Sequence, residues 1–193
     1  MKKALILFFS LLLTSCVSYV GNNLTFDEMI DANTKIIKNA NKQDVQQSLI
    51  KVFKLARNDY FSNIAVTGDN VYFKTQQNPY WILGFSRIIT TLSFNLTEDK
   101  NDVKINIFNK TNTFVNILAF INEYQEDVIN NPALNELIIK RTNYLLGKTN
   151  KWYTCKEYST FIKANNIKGD IDALCWLSED IHPSSREAKD IIN

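Results

Sequence analysis

The sequence predicts an α+β fold, and three changes of hydrophobic period carry that prediction. Apolar residues recur every three to four positions over residues 26–58 and alternate with polar ones over 62–109. From Thr113 onward the helical interval returns. Helix, then sheet, then helix segregates the element types along the chain, as in an α+β domain and unlike a run of βαβ units.

The first helical region opens on Thr25-x-x-Glu28, a capping-box pattern. Phe26, Met29, Ile30, Ile36 and Ile37 give it an apolar face. The polar patch Asn39–Asp44 interrupts it, and Val45, Leu49, Val52, Phe53 and Ala56 resume the stripe. Either two helices or one bent helix fills residues 26–58. The period then changes. Ile64 and Val66 alternate up to Gly68-Asp69-Asn70, and Val71 and Phe73 alternate after it, which predicts a hairpin. Pro79 interrupts before the aromatic stretch Tyr80–Phe85. Ile88, Thr90, Leu92, Phe94 and Leu96 keep a spacing of two. The charged turn Glu98–Asp102 follows, and Val103, Ile105 and Ile107 alternate beyond it. Residues 62–109 therefore predict an antiparallel meander of about four strands, with one face on helices and the other open to solvent.

Phe114, Ile117, Leu118, Ile121, Gln125 and Val128 predict the next helix. Asn131-Pro132 supplies an N-cap followed by proline at the first helical position. Leu134, Leu137, Ile138, Arg141 and Leu145 trace the helix that Gly147 stops. Thr154-x-x-Glu157 is a second capping box, with Tyr158, Phe161 and Ile162 on the inward side. A short helix is expected at Ile171–Leu177, and Pro183 starts a last polar segment containing Ile191 and Ile192.

The N-terminus carries an address. Lys2 and Lys3 precede an apolar run, Ala4–Leu13, that only Ser10 interrupts. A bilayer core needs about 20 apolar residues, so this run is too short to span one and suits the h-region of an export signal. The chain then reads Leu13-Thr14-Ser15-Cys16, which resembles the lipobox of bacterial lipoproteins. The resemblance covers residues 1–16 and implies cleavage between Ser15 and Cys16, with fatty acyl chains on Cys16. One acyl chain holds a protein only reversibly, whereas several together anchor it stably. Residue 17 is Val; under the enteric sorting rule, Asp there favours inner-membrane retention, so its absence implies the outer membrane, facing the periplasm.

Removing residues 1–15 leaves 178 of the 193, enough for a domain with a substantial core. Lys2 and Lys3 leave with the signal, so 20 basic residues face 20 acidic ones and the balance falls to zero. Nucleic acid is therefore not an expected partner. The abundance of Asn, Lys and Ile fits a biased nucleotide composition and needs no recognition role. The organisation expected is a signal peptide over 1–15, a lipidated tether over 16–24, an α+β domain over 25–149 and a small helical C-terminal subdomain over 150–193. Setting Cys16 aside leaves Cys155 and Cys175. An even pair in an exported protein predicts a disulfide, with two buried free thiols as the alternative. The spacing is no zinc signature.

No catalytic constellation, metal site or cofactor site is predicted. His182 is the only histidine, lies before Pro183 in a polar stretch, and reads as a surface residue. Glu123 and Asp127 share an i, i+4 face of the expected helix, with Glu126 nearby, and read as a solvated face. Asp99, Asn101 and Asp102 lack the glycine and distant glutamate of a calcium loop and read as a hairpin turn. Asp170 and Asp172 are explained by helix capping. Five glycines provide no phosphate-cradling loop. The best recognition candidates are Tyr80, Trp81 and Phe85, because aromatic side chains anchor interfaces; the alternative is that Trp81, Leu83 and Phe85 enter the core. Trp152 and Trp176 are expected to pack around the cysteine pair. The functional expectation is a lipid-anchored binding or accessory module for another envelope component. A periplasmic hydrolase with an unfamiliar site, or a lipid carrier, is the alternative.

Overall fold

The computed structural model describes residues 26–56, 63–78, 80–81, 84–117, 121–128, 131–169, 171, 175 and 181–192. The fold is α+β. Helix α1 (Phe26–Asn33) runs directly into strand β1 (Thr34–Ile37), and helix α2 (Lys42–Leu55) follows. Then come β2 (Asn63–Thr67), β3 (Asn70–Gln77), β4 (Tyr80–Trp81), β5 (Gly84–Asp99), β6 (Asp102–Ile117) and β7 (Ile121–Val128). Helices α3 (Pro132–Leu145), α4 (Cys155–Ala164) and α5 (Arg186–Ile192) complete the described chain.

The backbone of the architecture is the β5–β6 hairpin, 16 residues on each arm. Its register runs unbroken from Asp99↔Asp102 at the turn to Gly84↔Ile117 at the far end. Every other strand except β2 pairs with one of these arms. β3 and then β4 pair with β5, while β1 and β7 pair with β6, and β2 extends the sheet beyond β3; all pairings are antiparallel. An unbroken register keeps the alternation of faces along the full hairpin, so burial at one position fixes the face of all the others.

The face toward the helices carries Val71, Phe73, Leu92, Phe94, Leu96, Val103, Ile105 and Ile107, all buried. Val45, Leu49, Val52 and Phe53 of α2 meet it, together with Leu134, Leu137 and Ile138 of α3. Phe53 stacks on Phe73 with ring centroids 3.6 Å apart, and Phe94 meets Phe53 and Phe73 edge-on at 6.0 and 5.7 Å. Tyr158, Ile162 and Ile171 belong to the same apolar cluster. A second cluster joins Leu55 of α2 to Trp152, Ile181 and Ala188, with Ile191 and Ile192 against it.

Several local signals act where the sequence places them. The β2–β3 turn holds Gly68 at φ +58°, and the β5–β6 turn holds Lys100 at the same angle. Asn131 caps α3 by accepting from the Leu134 N–H at 3.1 Å, with Pro132 at the first turn. Thr154 and Glu157 form a reciprocal capping box on α4. Gly169 closes the start of α3 from outside, since the Ala133 N–H donates to the Lys168 carbonyl at 3.1 Å. A Cβ on Gly169 would stand 2.5 Å from Asn131 Oδ1, and its φ of +108° suits only glycine.

Two expectations are corrected. Ile36 and Ile37 are not on a helix: they end β1, where Ile37 is buried against the sheet in register with Val103. The segment Thr34-Lys35-Ile36-Ile37, β-branched at three of its four positions, is well suited to a strand once a partner edge is present, and β6 provides it. The helix expected from Thr113 to Val128 is replaced by the end of β6 and by β7. Here Phe114, Ile117, Ile121 and Val128 satisfied a helical spacing by coincidence, and pairing along the long arm won. The antiparallel meander expected over 62–109 is present in outline, as β2, β3, β5 and β6 with the short β4 beside β5, and among the described residues β1 and β7 extend it to a seven-stranded sheet. The capping box at Thr25 and most of the Ile171–Leu177 helix fall outside the described residues, as do Cys16 and Trp176.

Candidate interaction surface

The sheet face turned away from the helices is built from the out-of-phase positions of the long hairpin. On β6 these are Lys104, Asn106, Phe108, Lys110, Asn112, Phe114 and Asn116; on β5 they are Phe85, Arg87, Ile89, Thr91, Ser93 and Asn95. Alternation should make this face polar. Instead Phe108 is 55% exposed, Phe85 46% and Phe114 41%. Ile36 of β1, at 58%, shares the face through its register with Lys104. Single exposed apolar residues are ordinary, but three phenylalanines on one face of one hairpin are a pattern.

The register arranges them. Phe114 pairs with Arg87 and stands diagonally across from Phe85, which pairs with Asn116. Diagonal partners across a strand pair lie about 7–8 Å apart, within reach of aromatic rings. Phe108 sits six residues along the strand from Phe114, about 20 Å at the rise of a strand. Lys74 of β3 pairs with Thr91 on the same face. Lys74, Arg87 and Lys104 are all exposed. The surface therefore combines separated aromatic rings with cations, a composition that grips a partner through buried ring area and orients it through charge.

Of the recognition residues read from sequence, Phe85 lies on this surface. Tyr80 is in register with Phe85, and Trp81 with Gly84, so β4 places both beside the distal end of the hairpin. Sequence reasoning missed Phe108, Phe114 and Arg87. Phe108 had a signal: after Val103, Ile105 and Ile107 it breaks the alternation, and an apolar residue in the solvent phase of a strand marks either an edge or a contact. Phe114 was hidden by its helical spacing.

The other candidates are dispersed. Glu123 and Asp127 occupy β7 in register with Val115 and Thr111, so no helix face joins them. His182 is exposed, with Nδ1 2.7 Å from the Ser184 hydroxyl and its ring edge-on to Tyr144 and Trp152. Asp102 accepts from the Asn39 N–H at 2.9 Å, which ties the hairpin turn to the β1–α2 loop. Among the described residues, no cluster of three or more His, Cys, Asp or Glu side chains could hold a metal ion, and no helix is long and apolar enough to cross a membrane. An open groove of about 540 Å³ lies along the end of α4 and the following loop, lined by Lys163, Asn166 and Lys168 among others. It shares no residue with the aromatic face.

Cys155 and Cys175 are joined, their Cα atoms 5.7 Å apart, inside the range a disulfide requires. Cys155 is the first residue of α4. The Trp152 ring packs in the adjoining cluster and reaches the pair through Arg141, whose guanidinium lies 4.6 Å over that ring. No protein-family model, curated protein or solved structure matches this chain.

Proposed function

We propose that this chain is a lipid-anchored bacterial envelope protein that serves as a binding or accessory module for another envelope component. Fatty chains on Cys16 would hold it on the outer membrane, facing the periplasm, after removal of residues 1–15. The lipobox-like Leu13-Thr14-Ser15-Cys16 supports the anchor. The joined Cys155 and Cys175 fit an oxidising compartment. The single observation that carries the binding role is the exposure of Phe85, Phe108 and Phe114 on one sheet face, with Lys74, Arg87 and Lys104 around them. The partner is an envelope protein with an apolar, acidic surface, since buried aromatic area supplies the affinity and the cations select the charge.

The test is photo-crosslinking in intact cells. A photoreactive residue at position 108 or 114 is expected to trap one discrete partner, and the same residue at the exposed Lys156 of α4 is expected not to. Equal crosslinking from all three positions would refute the assignment of this face. Mass analysis of the same material tests the anchor separately: a diacylglycerol-modified Cys16 at the new N-terminus is expected, and an unmodified thiol removes the anchor from the proposal.

A further inference from the structure

We propose that the Cys155–Cys175 bridge is a thiol-exchange site that an incoming thiolate opens at the Cys175 sulfur, with Cys155 leaving as a stabilised thiolate. Two independent features single out Cys155. It stands at the first position of α4, a ten-residue helix, where the positive end of the helix dipole favours an anion. And Arg141, wholly buried on α3, brings Nη2 to 3.7 Å from Cys155 Sγ. That guanidinium is fixed from two further sides: Nε donates to the Tyr153 carbonyl at 3.0 Å, and its plane lies over the Trp152 ring. A cation and a helix N-terminus together are the arrangement that lowers a thiol's pKa and produces reactive cysteines.

Glu157, the acid in the first turn of α4, accepts from the Thr154 N–H and from the Thr154 hydroxyl, both at 3.0 Å, and so takes up part of the helix's positive end; the buried Arg141 guanidinium is therefore the main source of stabilisation for a Cys155 thiolate. Lys156 is the neighbouring charge on the helix and is positive. Cys155 and Cys175 are both half-buried residues. On the other side, Cys175 donates its N–H to the Ile171 carbonyl at 3.0 Å.

Exchange runs fastest when the departing sulfur is the better-stabilised thiolate. A dithiol reductant, as its thiolate, attacks Cys175 Sγ; the Cys155–Cys175 bond breaks and its electron pair stays on Cys155. The second thiol of the reductant, losing its proton, then attacks its own sulfur in the mixed disulfide. Cys175 leaves and takes up a proton. The dithiol ends oxidised to a disulfide, and the protein's bridge ends reduced to a Cys155 thiolate and a Cys175 thiol. Two electrons have moved. Opening the bridge frees Cys175 from α4, while Ile171 stays packed in the main core. This inference stands on the geometry around Cys155 and does not depend on the anchor or on the aromatic face.

The experiment uses the full chain as isolated. The oxidised protein is exposed to limiting reduced glutathione, quenched with acid and mapped by peptide mass, which keeps Cys16 on its own fragment. Glutathione is expected on Cys175; glutathione on Cys155 overturns the proposal, as does finding no bridge to open. Separately, the reduced protein is alkylated briefly with iodoacetamide near pH 6.5. Cys155 is expected to react at least tenfold faster than Cys175, and equal rates or the reverse order overturn the proposal. Arg141→Met is expected to make the bridge about tenfold harder to reduce at equilibrium with glutathione, a change of about 30 mV for two electrons. If that variant does not fold, the two mapping results on the natural chain decide the matter.

Discussion

Gly169→Ala is the most direct probe of how this sequence closes its C-terminal half. The residue has φ +108°, and the added Cβ would meet Asn131 Oδ1 at 2.5 Å, the Ala133 nitrogen at 3.1 Å and Pro132 Cδ at 3.2 Å. Two costs follow. A left-handed backbone costs a residue with a Cβ about 1–2 kcal/mol. The clash also pushes Asn131 off the Leu134 N–H, and losing an N-cap costs about 1 kcal/mol. The sum is about 2–3 kcal/mol, which in a domain of this size lowers Tm by roughly 5–10 °C. Gly68→Ala isolates the first cost, because Gly68 has φ +58° and nothing within 4 Å of the added methyl. Urea denaturation of both variants is the assay. Gly169→Ala is expected to exceed Gly68→Ala by about 1 kcal/mol. In an Asn131→Ala background that excess is expected to shrink, because the cap is already gone. If Gly169→Ala is no more destabilising than Gly68→Ala, the loop does not seat on the cap and the reasoning fails.

Further outcomes separate the two faces of the sheet and the buried rings. Phe94→Ala, fully buried against Phe53 and Phe73, is expected to cost about 3–5 kcal/mol in urea denaturation. Phe108→Ala on the opposite face is expected to cost about 1 kcal/mol or less, the size of a cross-strand pair. The triple variant Phe85→Ser, Phe108→Ser, Phe114→Ser is expected to abolish partner capture in cells; capture that persists at the natural level counts against the face. Burial, and then the neighbouring Glu136 carboxylate, push the pKa of the Tyr158 hydroxyl well above its ordinary value. The neutral phenol therefore favours the folded state, and its contribution is intact below about pH 10, where the unfolded phenol ionises. It is lost as the pH rises beyond that. Tyr158→Phe, compared with the natural chain from pH 8 to 11.5, is expected to flatten the alkaline decline in Tm; parallel curves would show that Tyr158 does not supply it.

The parts of this protein legible in sequence are those that close within a few residues. The Asn131-Pro132 start of α3, the Thr154–Glu157 capping box, the Gly68 turn and the Glu98–Asp102 turn each use donors, acceptors and angles supplied by near neighbours. The inward phase of β5 and β6 was legible for the same reason, since alternation is a local property. The candidate surface was half legible. Phe85 belongs to an aromatic stretch visible in the sequence, whereas Phe114 has a spacing of three and four that suits a helix and also occurs by chance in a strand.

The α+β class and the chemistry of the α3 and α4 caps were thus determined by the order of residues alone. Only the tertiary structure decided that Thr34–Ile37 is a strand, because its hydrogen-bonding partner lies about seventy residues away, as the Thr34–Asn106 contact shows. It also decided which side of the hairpin the helices cover, and therefore which phenylalanines reach solvent. Arg141 looks like one more helical position in the sequence; its placement beside Cys155 Sγ depends on how α3 packs against the start of α4. Local signals are fixed by bonded geometry over a few residues. Pairing, coverage and a buried charge beside a sulfur depend on which distant surfaces exclude water from one another.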